Sequence, residues 1–376
     1  MKKIKVLHFP IRNNIGGVTQ YMLTGWSFID KSRFHFDFAT LSKSIDFEKK
    51  LVEQGCKIHK ISCSAEENER QFSTEFEAIL AQDYDVVHLH TSYWKSFTCE
   101  EVAKKTGIPV VIVHSHNTDV GMISSSTNRE EAIEWHKKQR LCFNPALATH
   151  FCACSKAAAD WLFGPQIPME KIRILNNAID LERFAYNPRI REKRRREMGL
   201  DDNFVIGHVG RFEYQKNHEF LIDVFVEISK NVPNARLMLI GVGTSFNAIK
   251  AKVERHGLSD KVLFLGKRTD VAELYQAMDL FVLPSLFEGL GIVLVEAQTS
   301  GLKCISSSAS SLPENTITDN IAFLAFDVNL WRNAIVDIAH TGYERRDCSI
   351  EVEAEGYSIK EQIKILEDIY SERDKK

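Results

Sequence analysis

The chain has 376 residues, 44% of them apolar and 26% charged, with a formal net charge of −3. That length is too great for one ordinary core and comfortable for two domains. The near-balanced charge excludes a global field for nucleic acid. No long apolar stretch follows Met1-Lys2-Lys3-Ile4-Lys5, so neither a signal peptide nor a membrane-spanning helix is predicted.

In chain order, apolar runs predict strands over 5–9, 34–40, 57–61, 86–90, 110–113, 151–154 and 173–175. Helical spacing falls between them over 18–29, 48–54, 98–105 and 130–143. The eight cysteines are scattered without a C-x-x-C pair, and Cys152 and Cys154 alternate within a predicted strand. Buried free thiols and a reducing cytoplasm are the expectation. Asn187-Pro188 breaks the chain, and Arg189, Arg191, Lys193, Arg194, Arg195 and Arg196 follow. A basic helix here would suit peripheral contact with the inner face of a membrane or an anionic acceptor. The plainer reading is a solvated linker helix, because its apolar face holds only Ile190, Met198 and Leu200.

The rhythm then repeats. Strands are predicted over 205–209, 236–240, 262–265, 280–283, 303–306 and 322–325, and helices over 218–230, 246–256, 271–277 and 293–299. Ile359, Ile363, Leu366, Ile369 and Tyr370 give a terminal amphipathic helix over 358–370. Continuous apolar strands alternating with helices argue for parallel sheets covered on both faces. The fold class is therefore α/β, with two doubly wound Rossmann-like domains facing a cleft. The division is placed at 1–185 and 186–356.

Chemistry concentrates in two segments of the second half. In Phe287-Glu288-Gly289-Leu290-Gly291-Ile292-Val293-Leu294-Val295-Glu296 a glycine-flanked turn opens onto an apolar helix, with an acid at its mouth and another one to two turns in. Free backbone N–H groups at such a turn suit a phosphate, and carboxylates suit sugar hydroxyls. The plain alternative is a helix start with one acid near its positive end and one solvated acid. Gly207-His208-Val209-Gly210-Arg211 ends a strand, and Lys216 precedes the next helix. Two fixed cations at the carboxyl end of a strand would stabilise a departing diphosphate without a metal. Taken alone, such cations are ordinary surface charges.

Taken together, Gly210-Arg211…Lys216 and Glu288-x7-Glu296 resemble the retaining glycosyltransferases of family 4, which have the GT-B fold. The likeness covers most of the chain. Asn14-Ile15-Gly16-Gly17 resembles the family's first glycine loop, and 83–90 its helix-to-strand element. Leu175–Phe184 resembles the segment before the second domain, with Ala178 where glycine is usual. The terminal helix, 357–376, resembles one that returns to the first domain. By this resemblance Arg211 and Lys216 hold the donor diphosphate and Glu296 takes the ribose hydroxyls. Glu288 lies near the transferred sugar, while Gly289, Leu290 and Gly291 offer backbone N–H groups. Leu290 departs from the family's more frequent Phe. Gly266 and Arg268 would flank the base. Gly16 and Gly17 would let backbone approach the ligand, or form only a tight turn. Gly241-Val242-Gly243 falls short of a dinucleotide fingerprint and reads as a turn.

Val113-His114-Ser115-His116 follows a strand, and the resemblance places a catalytic histidine near it. His114 and His116 are both candidates, the second lying further beyond the strand; a hydrogen-bonded rim residue is the plain alternative. Asp83-Tyr84-Asp85 has a D-x-D spelling but precedes its strand, at the wrong sheet end for a diphosphate-bound metal. No other Cys, His or acid cluster has metal spacing, so no metal or other cofactor is expected. The resemblance thus implies transfer of a sugar from a nucleoside diphosphate donor, UDP-linked, to a saccharide or lipid-linked acceptor in cell-surface glycan synthesis. The alternatives are an epimerase or hydrolase of the same fold and a non-catalytic sugar-nucleotide binding subunit. The acceptor is expected on the first domain, with 121–129 a contact region.

Overall fold

The computed structural model describes residues 2–13, 16–120, 126–288, 290–310 and 316–372, with only the backbone described at 126–128 and 310. The chain divides into two compact units, Met1–Ala178 with Ile359–Lys376, and Ile179–Ser358. The division falls seven residues before the one placed from sequence. Leu175 is buried in the first unit's core, whereas Ile179 and Phe184 are buried in the second's.

The first unit holds a seven-stranded parallel sheet. Its strands are β1 (Ile4–Phe9), β2 (Phe34–Thr40), β3 (Ile58–Lys60), β4 (Val86–Thr91), β5 (Val110–Ser115), β6 (His150–Ala153) and β7 (Ile172–Ile174). The spatial order is β3-β2-β1-β4-β5-β6-β7. The chain builds outward from β1 to β3, then crosses back to start β4 on the other side of β1. Crossover connections therefore diverge between β1 and β4, the point where ligands gather at strand carboxyl ends. β4 and β5 are buried along almost their whole length because helices cover both faces. Phe72, Phe76 and Leu80 of helix Glu69–Leu80 pack on Leu7, Val87 and Val111 on one face. On the other, helix Ile359–Tyr370 places Ile363, Leu366, Ile369 and Tyr370 in one core with Val6, Phe34, Phe36 and Ile112. Each such side chain contributes about 1.5–3 kcal/mol when buried, which fastens the end of the chain to the first unit.

The second unit holds a six-stranded parallel sheet of β8 (Phe204–Val209), β9 (Ala235–Ile240), β10 (Val262–Gly266), β11 (Leu280–Leu283), β12 (Lys303–Ser307) and β13 (Ile321–Leu324). Its order, β10-β9-β8-β11-β12-β13, puts the corresponding switch point between β8 and β11. Phe225, Leu237, Leu280, Val282 and Trp331 form the core on one face, and Met238, Tyr275, Phe281, Leu294 and Val295 the core on the other.

The basic run lies on helix Pro188–Glu197, capped by the Asn187 side chain. It is not a solvated linker. Arg195 is buried, donating to Ala277 O and Asp279 Oδ2 at 2.9 Å and to Asn203 O at 2.6 Å. Arg191 is bound to Asp279 and to Met278 O, and Arg194 to Glu273 Oε2 at 2.6 Å. Arg196 and Lys193 pair with Glu192 and Glu197 of the same helix. The run is thus largely neutralised within the second unit rather than presented as a bare basic face. Among the described residues, no helix is long and apolar enough to cross a membrane. All eight cysteines are free, Cys152 and Cys154 fully buried.

Candidate active site

In the second unit, two loops meet at the carboxyl ends of β8 and β11. The loop after β8 runs from Gly210 through a 3-10 turn, Tyr214–Lys216, to Asn217, whose left-handed backbone (φ 51°) starts helix His218–Asn231. The loop after β11 leads to Gly291, also left-handed (φ 64°), which starts helix Ile292–Thr299. Gly291 is required by that backbone, since an added Cβ would meet nothing closer than 3.5 Å. Leu286 N donates to Gln215 O at 2.8 Å, and Gln215 Nε2 to Phe287 O at 2.9 Å, so the loops are stitched together.

This stitching brings Lys216 Nζ to 2.5 Å from Glu288 Oε1, with both side chains largely buried. Residues 72 positions apart, singled out separately in the sequence, form one ion pair. Gly210 permits it, because a Cβ there would press on His208 Nε2 at 3.0 Å and on the Lys216 stem at 3.1 Å. Gly241 and Gly243 lie against this loop, where a Cβ would strike Gly210 O at 1.9 Å or Phe212 O at 2.4 Å. Their task is close backbone packing beneath the site. Arg211 is half-buried and makes no side-chain hydrogen bond or ion pair among the described residues. Beneath the loop, burial lowers the His208 ring to about 4 and the His218 ring to about 2, so both are neutral.

Glu296 lies on helix Ile292–Thr299 and accepts from Tyr275 OH at 2.9 Å. Burial raises its carboxyl to about 7, with the Tyr275 hydrogen bond and the Arg183 charge opposing. Tyr275 was not singled out in the sequence; only the fold places it beside Glu296. Leu290 is a core side chain, 2% exposed, so anything it offers a ligand comes from backbone. Gly289 lies outside the described residues. Gly266 ends β10 in a left-handed conformation, and its carbonyl accepts from Gly241 N–H at 2.9 Å. Arg268 is pinned by Asp270, which accepts from Nε at 2.7 Å and from Nη2 at 2.6 Å.

In the first unit, Gly16 caps helix Gly17–Phe28, and a Cβ at Gly16 or Gly17 would meet nothing within 4 Å among the described residues. Among the described residues, packing therefore leaves space at both. Asn14 and Ile15 lie outside the described residues, as do 121–125. Asp83 and Asp85 sit before β4, where Asp83 pairs with Lys2 and Asp85 Oδ2 accepts from Lys5 N at 2.8 Å. Both acids fasten the opposite end of the sheet.

The structure separates the two candidate histidines. His114 lies inside β5 with no exposure, whereas His116 follows the strand and is 6% exposed. Both belong to a cluster the sequence reading missed. Strand register sets His8 beside His88 and His90 beside His114. His8 Nδ1 is 2.9 Å from His90 Nε2, and His90 Nδ1 is 2.8 Å from His116 Nε2. His88 bridges Tyr370 OH at 2.8 Å and His114 Nδ1 at 3.1 Å. Burial lowers His8 and His116 to about 3 and holds His88, His90 and His114 well below the usual imidazole range. All five are neutral near pH 7. His8, His88 and His90, and again His90, His114 and His116, offer nitrogens within 4.8 Å of one another. The expectation that no cluster has metal-like spacing thus overlooked two triads drawn from separate strands. Their closest contacts are already hydrogen bonds between rings.

A cavity of about 670 Å³ opens elsewhere on the first unit, lined by Tyr93, Lys95, Trp135, Glu66, Glu69 and Glu131 among others.

The profile of Glycosyltransferase Family 4 matches residues 15–183, and that of Glycosyl transferases group 1 matches residues 190–348. A Bacillus subtilis (strain 168) protein named as a glycosyltransferase, EpsF, is 30% identical over 98% of this chain and 96% of its own length. The Escherichia coli UDP-Gal:alpha-D-GlcNAc-diphosphoundecaprenol alpha-1,3-galactosyltransferase is 24% identical over 98% of this chain and 97% of its own. Among solved structures, Anabaena HepE in complex with UDP and glucose superposes with a TM-score of 0.76 at 17% identity, covering 98% of this chain and 99% of that one.

Proposed function

The chain belongs to the family 4 glycosyltransferases and has their GT-B fold, and from that premise we propose that it transfers a hexose from a UDP-sugar to a saccharide or lipid-linked acceptor with retention of configuration. The observation that carries this reading is the Lys216–Glu288 pair at the β8/β11 switch point, beside Arg211 and the Gly291-started helix that bears Glu296. The donor's departing diphosphate gains negative charge as the bond to sugar carbon 1 breaks. In this reading Arg211 and the remaining N–H groups of Lys216 are the fixed donors that stabilise that charge without reorganising. Glu288 holds the ammonium in place before substrate arrives. Ionised Glu296 accepts from the ribose hydroxyls.

The acceptor oxygen bonds to carbon 1 on the face the phosphate leaves, and the leaving phosphate oxygen takes the acceptor's proton. His116 is assigned to a hydroxyl of the donor sugar. Positive charge from Arg211 and Lys216 makes a metal unnecessary in this scheme. UDP as the nucleotide is favoured by the UDP-Gal donor in the name of the Escherichia coli relative and by the UDP complex of HepE. For the acceptor, the first unit's cavity combines the Tyr93 and Trp135 rings with three carboxylates and one lysine. That lining suits neutral sugar rings better than an anionic headgroup.

The test is incubation with a panel of nucleotide-sugars, following nucleotide release and donor-dependent thermal stabilisation. Stabilisation by UDP-sugars, lost in Lys216→Ala and Glu296→Ala, is expected. Near-normal turnover in both variants would overturn the assignment.

A further inference from the structure

The outer half of the histidine cluster is carried on rigid elements. Strand register sets His90 of β4 beside His114 of β5. Just past β5, His116 N donates to Thr91 O at 3.3 Å, which fixes the third ring's backbone. One nitrogen from each of the three rings lies within 4.8 Å of the other two, and His90 Nδ1 and His116 Nε2 are 2.8 Å apart. A tetrahedral ion bound at about 2.0–2.1 Å sets its nitrogen ligands about 3.3 Å from one another. The closest pair needs to open by only about half an ångström to match.

Three further observations single out this triad. His114 Nε2 and His116 Nδ1 are buried without a partner among the described residues. So is the hydroxyl of Tyr21, whose ring stands edge-on to His114 with centroids 5.1 Å apart. Buried polar atoms in native proteins are nearly always paired, so a group of three such atoms on touching rings asks for a ligand. Second, the nitrogens that face away from the triad already have neighbours. His90 Nε2 is 2.9 Å from His8 Nδ1, and His114 Nδ1 is 3.1 Å from His88 Nε2. Ligating histidines use their second nitrogen in this way, which fixes the ring. Third, His90 and His116 reach solvent, at 6% exposure each. The inner triad lacks these features: His88 spends both nitrogens, on Tyr370 OH and on His114.

We propose that His90, His114 and His116 bind a divalent transition-metal ion of the zinc class, with His8 and His88 as the outer partners of His90 and His114. Three imidazole ligands suit such an ion and not magnesium or calcium, which take oxygen. His90 contributes Nδ1, His116 Nε2 and His114 the nitrogen that His88 leaves open. The ion replaces the hydrogen bond between His90 and His116. The proton between those rings moves to an outward nitrogen of the series, so both lone pairs face the ion and the neutral rings release no proton. The ion ties the ends of β4 and β5 together in the first unit. It takes no part in holding the donor diphosphate, and His116 Nδ1 stays open to a sugar hydroxyl.

The test titrates the full chain, dialysed against a chelator, with zinc chloride by calorimetry and with cobalt(II) by visible absorption. One zinc per chain, the strong visible bands of tetrahedral cobalt and a raised melting temperature are expected, and magnesium chloride should produce none of these. His90→Phe and His116→Phe should each lower zinc affinity more than about 100-fold, and His8→Phe, which removes only an outer partner, about 10–100-fold. Anomalous scattering at the zinc edge, from wild-type crystals grown with zinc, locates the ion without any variant and covers the case in which a variant fails to fold. Density between His90, His114 and His116 is expected. No zinc bound, an ion seated only on exposed histidines such as His256 or His340, or affinity unchanged in folded His90→Phe and His116→Phe would overturn the proposal. None of these readings needs turnover, so they stand or fall apart from the proposed function.

Discussion

Lys216→Met separates what the Lys216–Glu288 pair does for the fold from what it does for the donor. At 2.5 Å the gross attraction is about 7 kcal/mol at an effective dielectric of 20, and desolvation of two largely buried groups offsets most of it. Removing the lysine alone leaves Glu288 buried without its cation. Such a loss costs about 3–5 kcal/mol, or roughly 6–20 °C in the melting temperature of a unit this size. Removing both charges, in Lys216→Met with Glu288→Leu, should return most of that stability, since apolar side chains of similar volume replace a buried pair at little cost. Activity should not return. Without the ammonium, kcat should stay about 10²–10³-fold down in single and double variants alike. Calorimetric scans and initial rates on the four proteins complete the cycle. A double variant regaining rate together with stability would show that Lys216 acts only through folding and would refute its role on the diphosphate.

Further outcomes follow from buried titrating groups and from the terminal helix. Folded His8, His116, His208 and His218 hold their rings at about 2 to 4. Between those values and about 6.5 the unfolded chain binds more protons, so stability is full above 6.5 and falls with added acid by about 1.4 kcal/mol per pH unit for each ring. Urea titrations from pH 7.5 to 5 should show the midpoint dropping steeply; a flat profile would contradict neutral burial. With Glu296 at about 7, its ionised fraction rises about tenfold from pH 6 to pH 8, and UDP affinity measured by calorimetry should rise with it. Glu296→Gln should flatten that dependence. Deleting 359–376 removes Ile363, Leu366, Ile369 and Tyr370 from the first unit's core and should unfold that unit well before the second in limited proteolysis.

Strands were readable because parallel strands buried on both faces are continuous apolar runs, and β2 and β11 begin and end where the sequence places them. The donor loops were readable because glycines and charges punctuate those runs at strand ends. What escaped the sequence depends on partners far along the chain. Arg191 and Arg195 read as solvated because Asp279 stands more than eighty positions away. Arg268 is the local exception: Asp270 stands only two positions on, but that their side chains meet is set by the conformation of the loop between them. The histidine chain draws His8, His90 and His116 from β1, β4 and the end of β5, so its existence hangs on strand order and register, which local periodicity does not encode. Tyr275 was invisible for the same reason: nothing near it in sequence announces Glu296.

The central claim is retaining transfer from a nucleoside diphosphate sugar held by Arg211, Lys216 and Glu296. It is tested most directly by proton NMR of the product formed from a UDP-hexose and a saccharide acceptor, run beside Lys216→Ala. The account predicts a new glycosidic bond with the donor's own anomeric configuration, equimolar UDP, and neither in the variant. An inverted linkage, or a rearranged nucleotide-sugar formed without acceptor, would contradict it.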